Sequence, residues 1–382
     1  MQGVYPNWKS LNETVATIDE SGLATTIANG KATIKAQWVN SNDMELTATA
    51  DLWVTGDVFA LDQANGNLVQ IDIAKKKIRP EYIIGLTAGS TLGMVIENYT
   101  FAAVAVDNQP TGAIEYVSLD IENPYFIDSL ELYDNHRGLQ AICNSYNQIV
   151  YLAEPETSDL TLFQQNTNTP YFSDLVGVIL LRDNAHPVSL IELKHQYLVV
   201  LTDNGADRSR LADSAALYFF DNNTNALQLM VPVSITNPKK IDRAFDDQNN
   251  EILVTLGGSD NSSGPTTLDF WDEIGGNLQS ATLATAVNAM ASGNHRAVWL
   301  GDADQPRLYV YGTEESDWIR GLGNPLILPS GSAVTTMEMN VSRREVWVAN
   351  DEGTIFLYGL DSYALKDTYE CDGCGIVDLA IW

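Results

Sequence analysis

The stretch Glu345-Val-Trp-Val-Ala-Asn-Asp-Glu-Gly-Thr-Ile-Phe-Leu-Tyr-Gly-Leu-Asp361 decides the fold. Val346, Trp347 and Val348 are strand formers, Asn350 to Gly353 supply turn chemistry, and Thr354 to Tyr358 return to β-branched and aromatic residues. It reads as strand, tight turn, strand. Val58 to Asp72 repeats the pattern, with Asn65-Gly66 at the turn and Asp at the end. A hairpin repeated at a long period cannot bury both of its faces alone, so the rest of the chain should be stacked copies of it.

Working outward, seven such units begin near Val58, Phe101, Ile149, Tyr197, Ile252, Ala297 and Val346, at intervals of 43, 48, 48, 55, 45 and 49 residues. Second strands are expected at Leu68–Asp72, Ile114–Asp120, Leu160–Gln164, Ala216–Asp221, Thr267–Asp272, Leu308–Gly312 and Thr354–Leu360. Outer strands are expected at Phe126–Tyr133, Gly177–Leu181 and Leu227–Val233, and inner strands at Leu139–Asn144, Val188–Leu193, Ile241–Phe245 and Val334–Asn340. Four strands per period in the forties is the signature of a propeller blade. Gly205–Ser214 and Gly257–Thr266 are polar and glycine-rich, which predicts rim loops. The first blade lacks an inner strand, whereas Gly375 to Trp382 alternates like one and has no blade of its own. The economical solution is that the terminal strand completes the first blade and closes the ring, removing two sheet edges.

The unit resembles the broad class of seven-bladed propellers of bacterial and archaeal surface proteins, over about residues 57–382. Tryptophan–aspartate repeats and sialidase Asp-boxes are absent. The first 55 residues differ. Trp8, Ser10 and Asn12, then Val15-Ala16, Ile18-Asp19 and Gly22, then Gly30, Ala32, Ile34 and Ala36, resemble the bacterial Ig-like group 2 (Big2) family in residue type and spacing together. Alternation at Val15/Thr17 and Ala32/Ile34/Ala36 marks half-buried strands, and Asp43–Thr55 reads as a closing strand. The expected organisation is all-β: an Ig-like sandwich over 1–55 and a propeller over 56–382. The family's opening strands should precede Trp8, where few residues remain. The sandwich is therefore expected to be incomplete and covered by a neighbour.

Bulk properties narrow the function. With 382 residues and 45% hydrophobic content the chain can build a large core, and 50 acidic against 21 basic residues leave a formal charge of −29. That field repels phosphate backbones and anionic lipid, which argues against nucleic-acid and membrane partners. No run of about 18 apolar residues occurs, and the opening residues lack the pattern of a secretory signal.

The sequence carries no nucleophile elbow, phosphate loop, dinucleotide fingerprint, zincin helix or EF-hand. His136, His186, His195 and His295 are scattered without ligand spacing. Cys371-Asp372-Gly373-Cys374 has a hairpin-type turn at its centre and would set the cysteines opposite one another where the last outer strand turns into the closing strand. Free thiols on a plain turn, a disulfide pinning the closure, and a metal or redox site are the open alternatives. Cys143 falls on an inner strand, where a buried, inert thiol is expected.

Asp242, Asp246, Asp247 and Glu251 surround one turn, and Asp302 and Asp304 another. Asp246, Asp247, Asp302 and Asp304 are the candidate cation (Ca²⁺) ligands, although so acidic a composition also yields such pairs without a ligand. No other cofactor is expected. Among aromatics, Trp271 and Trp299 suit a blade core, while Trp318, Tyr125, Tyr171 and Phe172 are the candidates for glycan or protein contact.

An Ig-like module beside a propeller is an extracellular combination, and a virion reconciles it with the missing leader. The expected function is therefore a non-catalytic structural or adhesion protein of a phage particle, as decoration or tail-associated protein, or of a cell surface. Its expected partners are neighbouring subunits and surface glycan. A carbohydrate- or receptor-binding module is the first alternative, and a metal-dependent lactonase or glycan-cleaving enzyme the second. The enzyme reading requires acidic groups to converge at the channel mouth, which the sequence does not show.

Overall fold

The computed structural model describes residues 6–26, 30–39, 45–54, 58–72, 77–78, 83–86, 90–97, 101–107, 112–119, 125–131, 141–144, 149–154, 158–164, 175–181, 185–203, 215–258, 264–293, 295–331 and 333–381. Every regular element among them is a β-strand. None is a helix long and apolar enough to cross a membrane.

From Val58 onward the strands form small antiparallel sheets, each running from an inner to an outer strand. Sheet 1 is Ile376–Ile381, Val58–Asp62, Asn67–Asp72 and Lys77–Ile78, with Ile84–Gly85 also on its third strand. Sheet 2 is Ser90–Glu97, Phe101–Asp107, Gly112–Ser118 and Tyr125–Glu131. Sheet 3 is Ala141–Asn144, Ile149–Glu154, Asp159–Gln164 and Leu175–Leu180, and sheet 4 is His186–Leu193, Tyr197–Asp203, Ala216–Asp221 and Leu227–Pro232. Sheet 5 is Pro238–Phe245, Glu251–Gly258, Thr266–Trp271 and Asn277–Leu283. Sheet 6 is Val287–Ala291, Ala297–Asp302, Arg307–Gly312 and Asp317–Arg320, with Leu326–Ile327 added, and sheet 7 is Val334–Asn340, Glu345–Asn350, Thr354–Gly359 and Leu365–Glu370.

Inner strands of consecutive sheets pack against one another in order, and the inner strand of sheet 7 packs against that of sheet 1. Burial explains the stacking. The second strand of sheet 1, Val58-Phe-Ala-Leu-Asp62, is buried at every position, so both of its faces need cover. Each neighbouring pair of sheets accordingly shares one apolar cluster. Phe59, Leu61 and Val104 lie between sheets 1 and 2, Phe270 and Tyr311 between 5 and 6, Trp299 and Tyr358 between 6 and 7, and Trp347, Tyr369 and Ile376 between 7 and 1. The last strand pairs antiparallel with Val58–Asp62, from Ile376↔Asp62 to Ile381↔Val58.

Two expectations need correction. Gly257 and Gly258 do not begin a rim loop but continue the second strand of sheet 5. A Cβ at Gly257 would stand 2.9 Å from the Thr236 carbonyl oxygen, so glycine there serves close packing. The Asp372-Gly373 turn is not a hairpin, because the strands it links belong to different sheets, Leu365–Glu370 to sheet 7 and Ile376–Ile381 to sheet 1. The other expected loop, Gly205–Ser214, lies outside the described residues.

Before Val58, Asn7–Ser10, Gly30–Val39 and Glu45–Val54 make a three-stranded sheet, and Ala16–Ile18 pairs with Ala24–Thr26. Val15, Ala16, Ala32 and Ile34 form a small core with Trp8 and Leu52 against it. Gly22, at φ +87°, passes so close to the Trp8 ring that a Cβ would lie 2.9 Å from its Nε1.

Candidate functional site

The inner strands surround the axis of the ring, and six of them carry a one-residue irregularity near their start: after Thr91, Pro187, Pro238, Val287, Val334 and Ile376. A bulge re-aims the side chains that follow it. Lys240 of sheet 5 and Asp378 of sheet 1 both stand directly after their bulges, and Asp242 of sheet 5 and Glu338 of sheet 7 both stand two residues further on. Equivalent positions fall at equivalent heights, so the four define two layers of charge.

Glu338 is half-buried on the inner strand of sheet 7. Among the described residues it makes no hydrogen bond or ion pair. Burial pushes its carboxyl up to about 8. Lys240 pulls it down, Asp242 and Asp378 push it further up, and Arg243 pulls it down. Lys240 acts on Asp378 as well, three sheets away around the ring. These charges therefore act on one another across the axis as well as between the adjacent sheets 7 and 1.

The two aspartates are held differently from Glu338. Asp378 Oδ2 accepts from the Met94 backbone N–H at 2.9 Å and Oδ1 from Leu379 N–H at 3.0 Å, tying sheet 1 to sheet 2. Burial raises its carboxyl, while the Met94 bond and then Lys240 oppose that rise. Asp242 accepts from Ser292 N–H at 2.8 Å and from Arg243 N–H at 2.7 Å, tying sheet 5 to the end of the inner strand of sheet 6. The axis thus gathers a Glu338 carboxyl raised to about 8 and an Asp378 carboxyl also raised by burial, together with the side chains of Lys240 and Asp242.

The sequence-derived candidates lie elsewhere. Asp246 and Asp247 follow the inner strand of sheet 5, whereas Asp302 ends the second strand of sheet 6 and Asp304 follows it, at the opposite rim. The four do not converge. Asp246 Oδ1 accepts from Gln248 and Asn250 N–H, and Asp302 Oδ1 from Asp304 and Gln305 N–H, with Asp302 Oδ2 taking the Tyr309 hydroxyl at 2.6 Å. Both are turn caps, occupied by backbone donors. Among the described residues no group of three or more His, Cys, Asp or Glu side chains could hold a metal ion.

Trp318, read as a contact candidate on a loop, is instead a strand residue. It stands in the outer strand of sheet 6 and packs edge-on against Tyr311, 5.2 Å between ring centres. Trp271 and Trp299 are buried in seams, and Trp271 Nε1 donates to Thr255 Oγ1 at 3.0 Å. Tyr125 opens the outer strand of sheet 2 opposite Ser118, whereas Tyr171 and Phe172 lie outside the described residues, as does His136. His186 faces Asp203 at 3.8 Å, His195 faces Glu192 at 3.2 Å, and His295 accepts from Ala297 N–H at 3.1 Å, so these three are scattered too. Cys143 sits on the inner strand of sheet 3, paired with Tyr151.

Cys371 and Cys374 are joined by a disulfide, with Cα atoms 5.5 Å apart. Their turn docks on the Asp62–Gly66 turn of sheet 1. Gly375 N–H donates to Asp62 Oδ1 at 2.9 Å, Gln63 N–H to the Gly375 carbonyl at 2.9 Å, and Asn65 Nδ2 to the Gly373 carbonyl at 3.0 Å.

Reading the sequence for motifs misses the axial group, because its members are spread over three sheets. Two local signals mark it: Glu338 between two methionines, and Asp378 inside the otherwise apolar Ile376–Ile381. A charge in the middle of a buried strand needs a reason.

No protein-family model matches the chain, and no curated protein matches it. Among solved structures, the chain is similar to the crystal structure of a propeller-like protein from Lactobacillus plantarum determined by a structural genomics consortium. The TM-score is 0.64 at 12% identity, covering 86% of this chain and all of the other. At that identity the likeness concerns the fold: an all-β, propeller-like ring of small antiparallel sheets.

Proposed function

We propose that the chain is a seven-bladed β-propeller, closed by its C-terminal strand and preceded by an Ig-like domain of the Big2 type over 1–55. In this reading it is a non-catalytic structural or adhesion protein of a virion, as phage decoration or tail-associated protein, or of an extracellular surface. The observation that carries this is the outer edge of the ring. Sheets 3 to 7 each turn a large aliphatic outward on an outermost strand: Leu180, Leu227, Leu278, Ile327 and Leu365, with Leu180 76% exposed. An outer strand also offers unpaired backbone groups, and an apolar edge repeated from sheet to sheet is a surface made for neighbours. The disulfide supports an oxidising compartment.

The test is the assembly state of the protein purified from its source. It should sediment with particles or envelope, and Leu180→Lys with Leu278→Lys should release it while leaving the melting temperature within about 3 °C. Recovery of the native protein as a free cytosolic monomer would overturn the reading.

A carbohydrate- or receptor-binding module is the second reading, favoured by the axial group, where Lys240 offers a donor among the carboxyls of Glu338, Asp242 and Asp378. Glycan binding that falls with Lys240→Met would support it. The Glu338 carboxyl near pH 8 suits a general acid, and turnover lost in Glu338→Gln would favour an enzyme instead.

A further inference from the structure

We infer that the Cys371–Cys374 bridge is a redox-controlled clasp on the ring, and that its reduction frees the closing strand to pair with a second copy of this chain. The inference stands on the joint itself and not on the function proposed above. Among the described residues, sheet 1 alone is assembled from two distant parts of the chain, with Asp62 and Gly375 separated by 313 residues. Its inner strand is presented to Val58–Asp62 by a single turn, and the bridge spans that turn.

The turn contacts both sheets that it connects. Towards sheet 7, Cys371 N–H donates to the Gly353 carbonyl at 3.1 Å. Towards sheet 1, the bonds from Gly375, Gln63 and Asn65 hold it to the Asp62–Gly66 turn, and Gly375 lies against Ala64. Cys374 is buried in the apolar cluster of the 7–1 seam with Ile376 and Leu379, while Cys371 is half-buried and its neighbours Asp372 and Gly373 are exposed. A small reductant therefore has access to one sulfur of a bridge whose other sulfur is packed beneath the closing strand.

The chemistry balances with a dithiol. One thiolate of dithiothreitol attacks a sulfur of the bridge, forming a mixed disulfide and expelling the other cysteine as a thiolate. The second dithiol sulfur then displaces the first cysteine, leaving a cyclic oxidised dithiol and two protein thiols. The protein gains two electrons and two protons. Once released, Ile376–Ile381 and Val58–Asp62 are complementary edges, and the complement available in solution is the same pair on another copy.

The experiment is hydrogen exchange of the full chain with and without dithiothreitol, with Cys371→Ser/Cys374→Ser as a second, reductant-free arm. Closure of a four-residue loop by the chain-entropy relation predicts faster exchange on the order of tenfold on opening. The rise should be confined to Ile376–Ile381 and Val58–Asp62, while Glu251–Gly258 stays unchanged. A concentration-dependent dimer should appear in size-exclusion chromatography. Thiol titration of the denatured, unreduced protein should find one free thiol, rising to the full three after reduction. Three free thiols at the outset, unchanged exchange in both arms, or an equal rise in Glu251–Gly258 would overturn the clasp. Local opening with monomer at every concentration would overturn the exchange between copies.

Discussion

The seam between sheets 5 and 6 and the seam between sheets 7 and 1 are filled alike and joined differently. Both bury aromatics between two sheets, Phe270 with Tyr311 in one and Trp347 with Tyr369 in the other. At the first, the chain leaves the outer strand of sheet 5 at Leu283 and re-enters as the inner strand of sheet 6 at Val287. Sheet 6 then completes itself from contiguous sequence. At the second, the same crossing delivers only an inner strand, and the remaining strands of sheet 1 come from near the start of the chain. Apolar filling stabilises any seam, but only the closing one must also offset the entropy of joining two distant segments. The added bonds from Asp62 and Asn65, and the bridge, are concentrated at that joint.

The largest effect expected from this contrast is removal of Ile376 to Trp382. It deletes Ile376 and Leu379 from the 7–1 cluster and exposes an unpaired edge on Val58–Asp62. The expected loss is about 5 kcal/mol or more, comparable with the whole stability of a domain. The truncated chain should lack a cooperative thermal transition by circular dichroism. A cooperative melt within about 5 °C of the intact chain would show the closing strand to be dispensable.

Next come two fully buried tryptophans, one in each kind of seam. Trp299→Ala, between sheets 6 and 7, and Trp347→Ala, between sheets 7 and 1, should each cost about 3–5 kcal/mol in chemical denaturation. The comparison lies in where the damage goes. Trp347→Ala should speed amide exchange in Ile376–Ile381 well before global unfolding, and Trp299→Ala should not. Equal local effects would mean that the closing seam is no weaker than the others.

How much of this was legible beforehand follows from the same contrast. The strands that open each unit, from Val58 to Val346, were readable almost to the residue, because burial on both faces writes a continuous apolar run such as Val346-Trp347-Val348. Outer strands were harder. Leu326–Ile327 and Lys77–Ile78 are two residues long, too short to carry a period. The cation candidates misled because an Asp that caps a turn and an Asp that binds calcium look the same in sequence; what separates them is where the backbone N–H groups point. The axial group stayed hidden for a different reason. Lys240, Glu338 and Asp378 act on one another only through the closure of the ring, which no local spacing encodes.

That axial group supplies a pH test. Glu338 has its folded carboxyl raised to about 8 against an ordinary 4.5. Below about pH 4.5 it is protonated whether folded or unfolded and contributes nothing. Between about 4.5 and 8 the unfolded chain ionises first, so stability falls as pH rises, and above about 8 the cost stays constant. Glu338→Gln should therefore stabilise the protein by about 2 kcal/mol at pH 8, allowing for screening at a half-buried site, and by almost nothing at pH 4. Denaturation midpoints at the two pH values measure it. A stabilisation equal at both would mean that the effect is packing and not charge.

The smallest effect is the sharpest probe of the joint. Gly353 packs against the clasp and Gly373 lies within it, and both hold left-handed backbone, at φ +79° and +74°. A side chain at either position meets the same intrinsic penalty, about 1 kcal/mol. They differ in surroundings. A Cβ at Gly373 meets nothing within 4 Å, while one at Gly353 would stand 2.5 Å from the Cys371 carbonyl oxygen and 2.7 Å from that of Cys374. Those carbonyls belong to the turn that presents the closing strand, so relieving the contact must push that turn away from sheet 7. Gly373→Ala should cost about 1 kcal/mol and leave exchange in Ile376–Ile381 unchanged. Gly353→Ala should cost about 2–3 kcal/mol and loosen that strand selectively. Because the shared penalty cancels, the difference between the two variants isolates how tightly the clasp must sit on sheet 7. A difference near zero would mean that the turn can shift without the closing strand noticing.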